Sequence, residues 1–441
     1  MNATHDPKLR SWVESANRAN ADFPIQNLPF GIFSRSKASE NRVVGVAIGD
    51  FVLDVAASIT HGIVDVGAAT DSCRDPTLNR LMSLPPSDAA RLRAQLSAAL
   101  AAGGDHSERA QRHTKEILIP LSDVSLHLPV EIGDYTDFYA SIHHATNVGS
   151  MFRPDSPLLP NYKYIPIGYH GRASSVVVTG TPIVRPQGQT KSGNAPEPSF
   201  GPSRMLDYEM ELGFYVRAAN PLGTPVPIDT AAEHIFGFSI VNDWSARDIQ
   251  SWEYQPLGPF LSKNFATTVS PWVVTAEAAA PYRVRASARP MGDPPPLPYL
   301  SSAREAADGG LNAILETYLR TQQMQTERVS PFLVGQAPFA TMYWTVAQML
   351  THHASNGCNL RAGDLMASGT VSGSTRDSLG SMLELTRRGA EPLTLPTGEM
   401  RTFLEDGDEV IMRAYLEAPG RPRLGFGECR GLVLPSVEQP L

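Results

Sequence analysis

The chain has 441 residues, 42% of them hydrophobic and 19% charged, with a formal net charge of −8. That length exceeds one ordinary core and predicts two or three domains of globular, not disordered, composition. The acidic balance excludes the broad basic face of a nucleic-acid binder, and no run approaches the ~18 apolar residues of a membrane span.

Three scattered cysteines (Cys73, Cys358, Cys429) fit reduced thiols, and the polar start MNATHDPKLRSWVESANRAN has no apolar signal region. A soluble, cytoplasmic protein with no nucleic-acid or membrane partner is expected. In chain order, the alternating runs RVVGVAI and FVLDV meet at Gly49-Asp50 and predict a hairpin. PSDAARLRAQLSAALAAG predicts a helix opening on Ser87 or Asp88 and closing on Gly103. Pro120 to Pro129 reads as a connection into a larger second domain. Beyond it come short strand-like runs: SSVVVTG, RMLDYEMELGFYV, IFGFSIVNDW, SPWVV, GDLMASG, SMLEL and DGDEVIMRAYL. Such runs, separated by turn residues, predict a sandwich or rolled barrel and not alternating βαβ units. One helix interrupts them near TMYWTVAQMLTHHAS, with Gly357 as its stop. The stretch 311–322 fits either a helix or a strand, and 195–202 and 286–298 read as loops.

Three clusters carry chemistry. In LDYEMELGF a strand's period of two puts Asp207, Glu209 and Glu211 on one face among apolar neighbours. Buried, such acids must be protonated, paired or metal-bound; on the edge of a sheet they are a solvated face, and the segment alone leaves both readings open. In VNDWSARDIQSWEYQPLGPFLSKNF, Asp243 ends an apolar run, followed by Arg247, Gln250, Tyr254 and Lys263. These are either donors for an oxyanion or carboxylate, or an ordinary surface turn. The chain has six lysines against thirty-one arginines, and Lys263 is the only lysine after Lys191. A compact ammonium suits a confined polar site where a guanidinium fork does not fit. In GDYTDFYASIHHATNVGSMFR, Asp137, Tyr139, Arg153 and one of His143 and His144 are candidates, since adjacent residues cannot point the same way on a regular element. His352-His353 reads as structural. No G-x-S-x-G elbow, Walker A or Rossmann signature is present.

DYTDFYASIHHATNVGSMFR, IPIGYHGRASSVVVTGTPI, NDWSARDIQSWEYQPLGPFLSKNF, GDLMASGTVSGS, SMLEL and the closing FGECRGLVLP resemble, collinearly, the fumarylacetoacetate hydrolase family. The resemblance implies a mainly β chain: a small SH3-like N-terminal barrel with a helical segment over 1–128, then a large mixed β-sandwich or roll over 129–441, in a homodimer. It implies hydrolysis of 4-fumarylacetoacetate to fumarate and acetoacetate, the last step of tyrosine and phenylalanine breakdown. Position by position, Asp137, Glu209, Glu211 and Asp243 match metal carboxylates for Ca²⁺ or Mg²⁺, with Mn²⁺ as a third choice, and Asp207 is left out. His144 matches the general base and Glu384 the acid that orients it; Arg247, Gln250 and Lys263 match oxyanion donors. Tyr139, Arg153, Tyr169, Gln250, Tyr254 and Thr370 match substrate contacts. Asp243, Lys263 and Thr267 match a second ion-associated site. The stretches 186–204 and 286–338 depart from the family pattern. Another diketo-acid hydrolase or decarboxylase is the nearest alternative, and a catalytically silent scaffold is a more distant one.

Overall fold

Alternating apolar residues in FGIFS, VVGVAI and FVLD pair as antiparallel strands in the computed structural model, which describes residues 1–36, 41–193 and 195–437. The predicted hairpin forms, with Ile48 opposite Phe51 and Gly49 taking the left-handed backbone (φ +54°) its turn requires. The sheet has five strands in the order Leu118–Pro120, Phe51–Asp54, Val43–Ile48, Phe30–Ser34, Ser125–His127. The segment read as a connection, Pro120 to Pro129, therefore supplies strand at its two ends to this first sheet. The predicted helix runs Pro86–Leu100, without a Ser87 or Asp88 cap. Pro86 takes the first helical position, where its missing N–H is harmless, and Ala101 leaves the helix early to bridge Ser11.

The second part of the chain builds an eight-stranded sheet. Its main path runs Gly168–Gly171, Tyr135–Phe138, Leu365–Ala367, Met210–Val216, Ile235–Asp243, Thr267–Val269, Val176–Val178. A five-stranded sheet lies against it, ordered Phe332–Pro338, Ala313–Arg320, Glu409–Leu416, Leu424–Leu434, Ile183–Val184. Side-chain alternation gives the large sheet two different faces. Leu212, Phe214, Phe238, Ile240 and Met366 enter the core shared with the smaller sheet, alongside Leu315, Met412 and Phe426. Tyr135, Tyr215, Val241, Val269 and Leu365 enter the core built by the N-terminal segment, alongside Ile32, Val46 and Leu53. The sheet is thus covered on both faces, and the odd-numbered residues of Met210–Val216 and of 237–243 look toward the N-terminal segment; before Gly237 a register shift opposite Val216 reverses the alternation.

Other readings are resolved or corrected. The open stretch 311–322 contributes the strand Ala313–Arg320, and the helix before Gly357 is Val346–Ala354, capped by Thr345. SMLEL is not a strand: Ser381 caps a short helix, Met382–Leu385. The expected loop 195–202 ends in a strand, Ser199–Pro202, paired with Gln187–Thr190. A second helix in this part, Ile142–Phe152, carries the paired histidines. No helix among the described residues is long and apolar enough to cross a membrane.

Candidate active site

Four acids meet on the face of the large sheet that looks toward the N-terminal segment. Asp137 leaves the strand Tyr135–Phe138, Glu211 the strand Met210–Val216 and Asp243 the end of Ile235–Asp243, while Glu209 stands just before its strand and is tied to Asp243 by a backbone hydrogen bond of 3.2 Å. One carboxylate oxygen from each lies within 4.8 Å of the others, and all four residues are buried. Asp207 does not join them. The strand is interrupted between Leu206–Asp207 and Met210–Val216, and the Asp207 carboxylate accepts from the Met382 and Leu383 N–H groups (2.7 and 3.0 Å) and from Arg247 Nε (2.9 Å).

Charge in the cluster is only partly balanced. Lys263 Nζ donates to Glu209 Oε2 and Asp243 Oδ2, both at 2.5 Å. Burial opposes that ammonium, but the Asp243 and Glu209 charges outweigh it and hold its pKa above the ordinary lysine value. Lys263 therefore enters the cluster as a countercharge; a protonated Nζ has no lone pair for a metal. Arg247 Nη1 lies 2.7 Å from Glu209 Oε1, though Arg247 is also paired with Asp207. Burial pushes Glu209 up, and Lys263 and Arg247 more than reverse it, holding Glu209 well below the ordinary carboxylate range. Tyr169 OH and Thr267 Oγ1 donate to Asp243 at 2.7 and 3.3 Å. Gly369 N–H donates to Asp137 Oδ1 and Glu211 Oε2, each at 3.1 Å. A side chain at Gly369, whose φ is +74°, would meet the Phe138 carbonyl oxygen at 2.2 Å. Glu211 Oε1 has no hydrogen-bond partner among the described residues. Burial first, and then the neighbouring acids, push Asp137 and Glu211 well above their ordinary values.

Counting Arg247 against Asp207, four acids face one ammonium, so full ionisation leaves three negative charges (4 − 1) in a buried site. Burying uncompensated charge is costly, which leaves protonation or a cation to restore balance. The donors are all hard oxygens, and one is an orphan lone pair, so the residues fit a hard divalent cation.

His144 faces this cluster. The Ser141 hydroxyl caps its helix by accepting from His144 N–H, and the buried imidazole points Nε2 toward Glu209 Oε1 at 4.0 Å. Its Nδ1 lies 2.7 Å from Glu384 Oε2. Glu384 also accepts from Asn147 Nδ2 (2.8 Å), Ser372 Oγ (2.9 Å) and Ser381 Oγ (3.0 Å). Burial raises its pKa, and His144 with these donors more than compensates, keeping it below the ordinary value. An ionised Glu384 fixes the proton on Nδ1 and leaves the Nε2 lone pair free. Asn147, Ser372, Ser381 and Gly369 carried no signal of their own in the sequence: serine, asparagine and glycine are common, and Ser372 and Ser381 lie more than 200 residues from His144.

A cleft of about 380 Å³ joins these parts. Its wall includes Asp137, Tyr139, His144, Arg153, Tyr169, Glu209, Arg247, Gln250, Tyr254, Lys263 and Thr370, with Val148, Phe152, Ile167, Met205 and Leu257 as apolar surface. Every expected substrate contact thus lines one cavity, while Glu384 and Thr267 stand behind it. Arg247 Nη2 and Thr370 Oγ1 are buried without a hydrogen-bond partner among the described residues, donors available to something in the cleft. His143 does not line it. His352 and His353 are held by Tyr299 OH and Thr136 Oγ1, both at 2.8 Å, as their structural reading expects.

Comparison with known proteins gives this site its class, that of a hydrolase. The chain is 50% identical to the fumarylacetoacetase of Caenorhabditis elegans over 426 residues, covering 95% of this chain and 97% of that one. It is 47% identical to those of Rattus norvegicus and Homo sapiens, over 427 and 421 residues, again covering 95% of this chain and 97% of each. Residues 134–433 match the model "Fumarylacetoacetate (FAA) hydrolase C-terminal" and residues 26–129 "Fumarylacetoacetase N-terminal". The chain belongs to the fumarylacetoacetate hydrolase family.

Proposed function

We propose that this enzyme hydrolyses a carbon–carbon bond of 4-fumarylacetoacetate, releasing fumarate and acetoacetate at the end of tyrosine and phenylalanine breakdown. The observation that carries the reading is that the His144–Glu384 pair, at 2.7 Å, opens on the same cleft as the four-carboxylate cluster. The near full-length identity to fumarylacetoacetases supports the particular substrate.

A divalent cation held by Asp137, Glu209, Glu211 and Asp243 (Ca²⁺ or Mg²⁺, with Mn²⁺ as the third choice) would supply Lewis-acid polarisation of the diketone and its enolate. His144 Nε2 takes a proton from water, and Glu384 stabilises the imidazolium that results. The hydroxide adds to a carbonyl carbon of the diketone. Arg247, Gln250 and Lys263 line the space where the tetrahedral oxygen carries its charge, and one well-placed donor of this kind contributes about 3 kcal/mol. When that intermediate collapses, the bond to the carbon between the carbonyls breaks and the electron pair leaves as an enolate, which takes up a proton. Arg153, at the mouth, holds a terminal carboxylate; Tyr139, Tyr169, Tyr254 and Thr370 contact the substrate between them. Thr267 and Lys263 act through Asp243 at the ion-associated position.

We read the N-terminal sheet as an SH3-like barrel and place the domain boundary at residue 128/129, with the catalytic domain in a sandwich or roll. A homodimer in the cytoplasm completes the reading. The test is to incubate the protein with fumarylacetoacetate, follow loss of its ultraviolet absorbance and identify the products by NMR. Equal amounts of fumarate and acetoacetate are expected; unchanged substrate in the presence of added divalent cation contradicts the function.

A further inference from the structure

Two guanidinium groups stand at the cleft with no carboxylate paired to either among the described residues. One is Arg153, directly after the helix Ile142–Phe152, whose Nη2 donates only to the Pro157 carbonyl at 3.2 Å. The other is Arg388, which also lines the cleft. Nothing in its sequence context distinguishes it from its neighbour Arg387. The structure separates the two. Arg387 turns outward and lies 3.3 Å from Glu391. Arg388 makes no ion pair or side-chain hydrogen bond among the described residues, and its guanidinium lies 4.9 Å from the centre of the Phe152 ring.

The backbone goes to some length to put it there. Arg387 and Arg388 both adopt left-handed conformations, φ +46° and +59°, immediately after the helix that carries Glu384. Such conformations cost non-glycine residues on the order of 1 kcal/mol each and persist only where surrounding contacts impose them. Here the Arg387 and Arg388 N–H groups donate to the Glu384 and Leu383 carbonyls, at 3.2 and 2.8 Å. One short segment therefore sets both Glu384, behind His144, and Arg388, at the cleft wall. Phe152 closes the circuit: it ends the helix that bears His144, its ring carries Arg388, and the next residue is Arg153.

Stacking on an aromatic face holds the plane of a guanidinium while leaving its N–H edge free to meet a carboxylate in bidentate fashion. Arg153 and Arg388 line the same cleft, so an anion bound there is within the field of two cations that no carboxylate of the described residues neutralises. We propose that Arg388 is the second arm of a two-arginine clamp which, with Arg153, binds a terminal carboxylate of the substrate and selects for an acid at that end. This inference rests on the diketo-acid substrate proposed above.

The experiment uses the cation-loaded full-length enzyme and its Arg388→Met, Arg388→Lys and Arg387→Met variants. Binding of fumarate and of acetoacetate is measured separately by calorimetry, which needs no turnover, alongside steady-state kinetics with fumarylacetoacetate. The clamp predicts that Arg388→Met weakens one of the two products about tenfold or more, and the product affected reports which end of the substrate sits there. KM rises by a similar factor while kcat changes less than threefold, Arg388→Lys retains part of the affinity, and Arg387→Met binds as wild type does. Unchanged affinity for both products in Arg388→Met, or an equal loss in Arg387→Met, overturns the clamp. Failure of the enzyme to cleave fumarylacetoacetate would appear separately, as wild-type protein that binds these acids and makes none.

Discussion

Glu384 and Glu211 are the same residue type, both buried, and their environments drive them in opposite directions. Glu384 accepts hydrogen bonds from four side chains (His144, Asn147, Ser372 and Ser381) and is held below its ordinary pKa. Glu211 receives one backbone N–H, keeps an oxygen without a hydrogen-bond partner among the described residues, faces Asp137 and Asp243, and is pushed far up. Burial pushes both up; at Glu211 the neighbouring acids add to it, and at Glu384 His144 and the hydrogen-bond donors reverse it. The dyad is balanced within the chain, whereas the cluster needs protons or a cation to balance its charge.

The largest effect expected from breaking this contrast is at the base itself. His144→Ala should lower kcat by about 10³-fold with KM nearly unchanged, measured by steady-state absorbance. Full activity in that variant removes His144 from the mechanism. Glu384→Gln keeps the shape but removes the charge that stabilises the imidazolium, and a loss of about 10²-fold in kcat is expected. In the cluster the same chemical change should have two signs. Glu211→Gln weakens cation binding by about 10- to 100-fold, as read by calorimetry, yet raises the melting temperature of the cation-free protein by relieving repulsion. A fall in both quantities would mean that Glu211 is already satisfied.

Stability against pH sharpens the same contrast with smaller effects. Glu384 is depressed in the folded state, so its contribution is present above its ordinary 4.5 and is lost as pH falls from there through the folded value. Glu211 is raised, so its contribution is present below 4.5 and is lost as pH rises from there through the folded value. Cation-free protein should therefore lose stability on both sides. Glu384→Gln flattens the acid limb and Glu211→Gln the other, as followed by thermal melts across pH. The smallest effect is at Ser372→Ala, where loss of one of four donors to Glu384 should cost about 1 kcal/mol of stability.

How much of this was readable beforehand depended on range. Local patterns carried the Gly49-Asp50 hairpin, the strand ending at Asp243 and the helix before Gly357, because each is decided by residues a few positions apart. The isolated lysine at 263 did mark a confined polar site. LDYEMELGF shows where locality ends. Period-two logic placed Asp207 with Glu209 and Glu211, but the strand breaks between them and Asp207 is taken by the N–H groups of Met382 and Leu383, 175 and 176 residues away. SMLEL reads as a strand by its apolar content and folds as a helix because Ser381 and Asp207 satisfy its first N–H groups. The joining of Asp137 and Asp243 to the pair came from family resemblance alone. Arg388 escaped altogether, since its distinction from Arg387 lies in where a left-handed turn points the side chain.

The most direct test of the contrast between a balanced dyad and an unbalanced cluster is activity after thorough removal and graded return of divalent cation. The account predicts that stripped protein stays folded, does not consume fumarylacetoacetate, and regains turnover together with thermal stability as Ca²⁺ or Mg²⁺ fills one site per chain. Undiminished turnover by protein shown to be free of bound cation would contradict it.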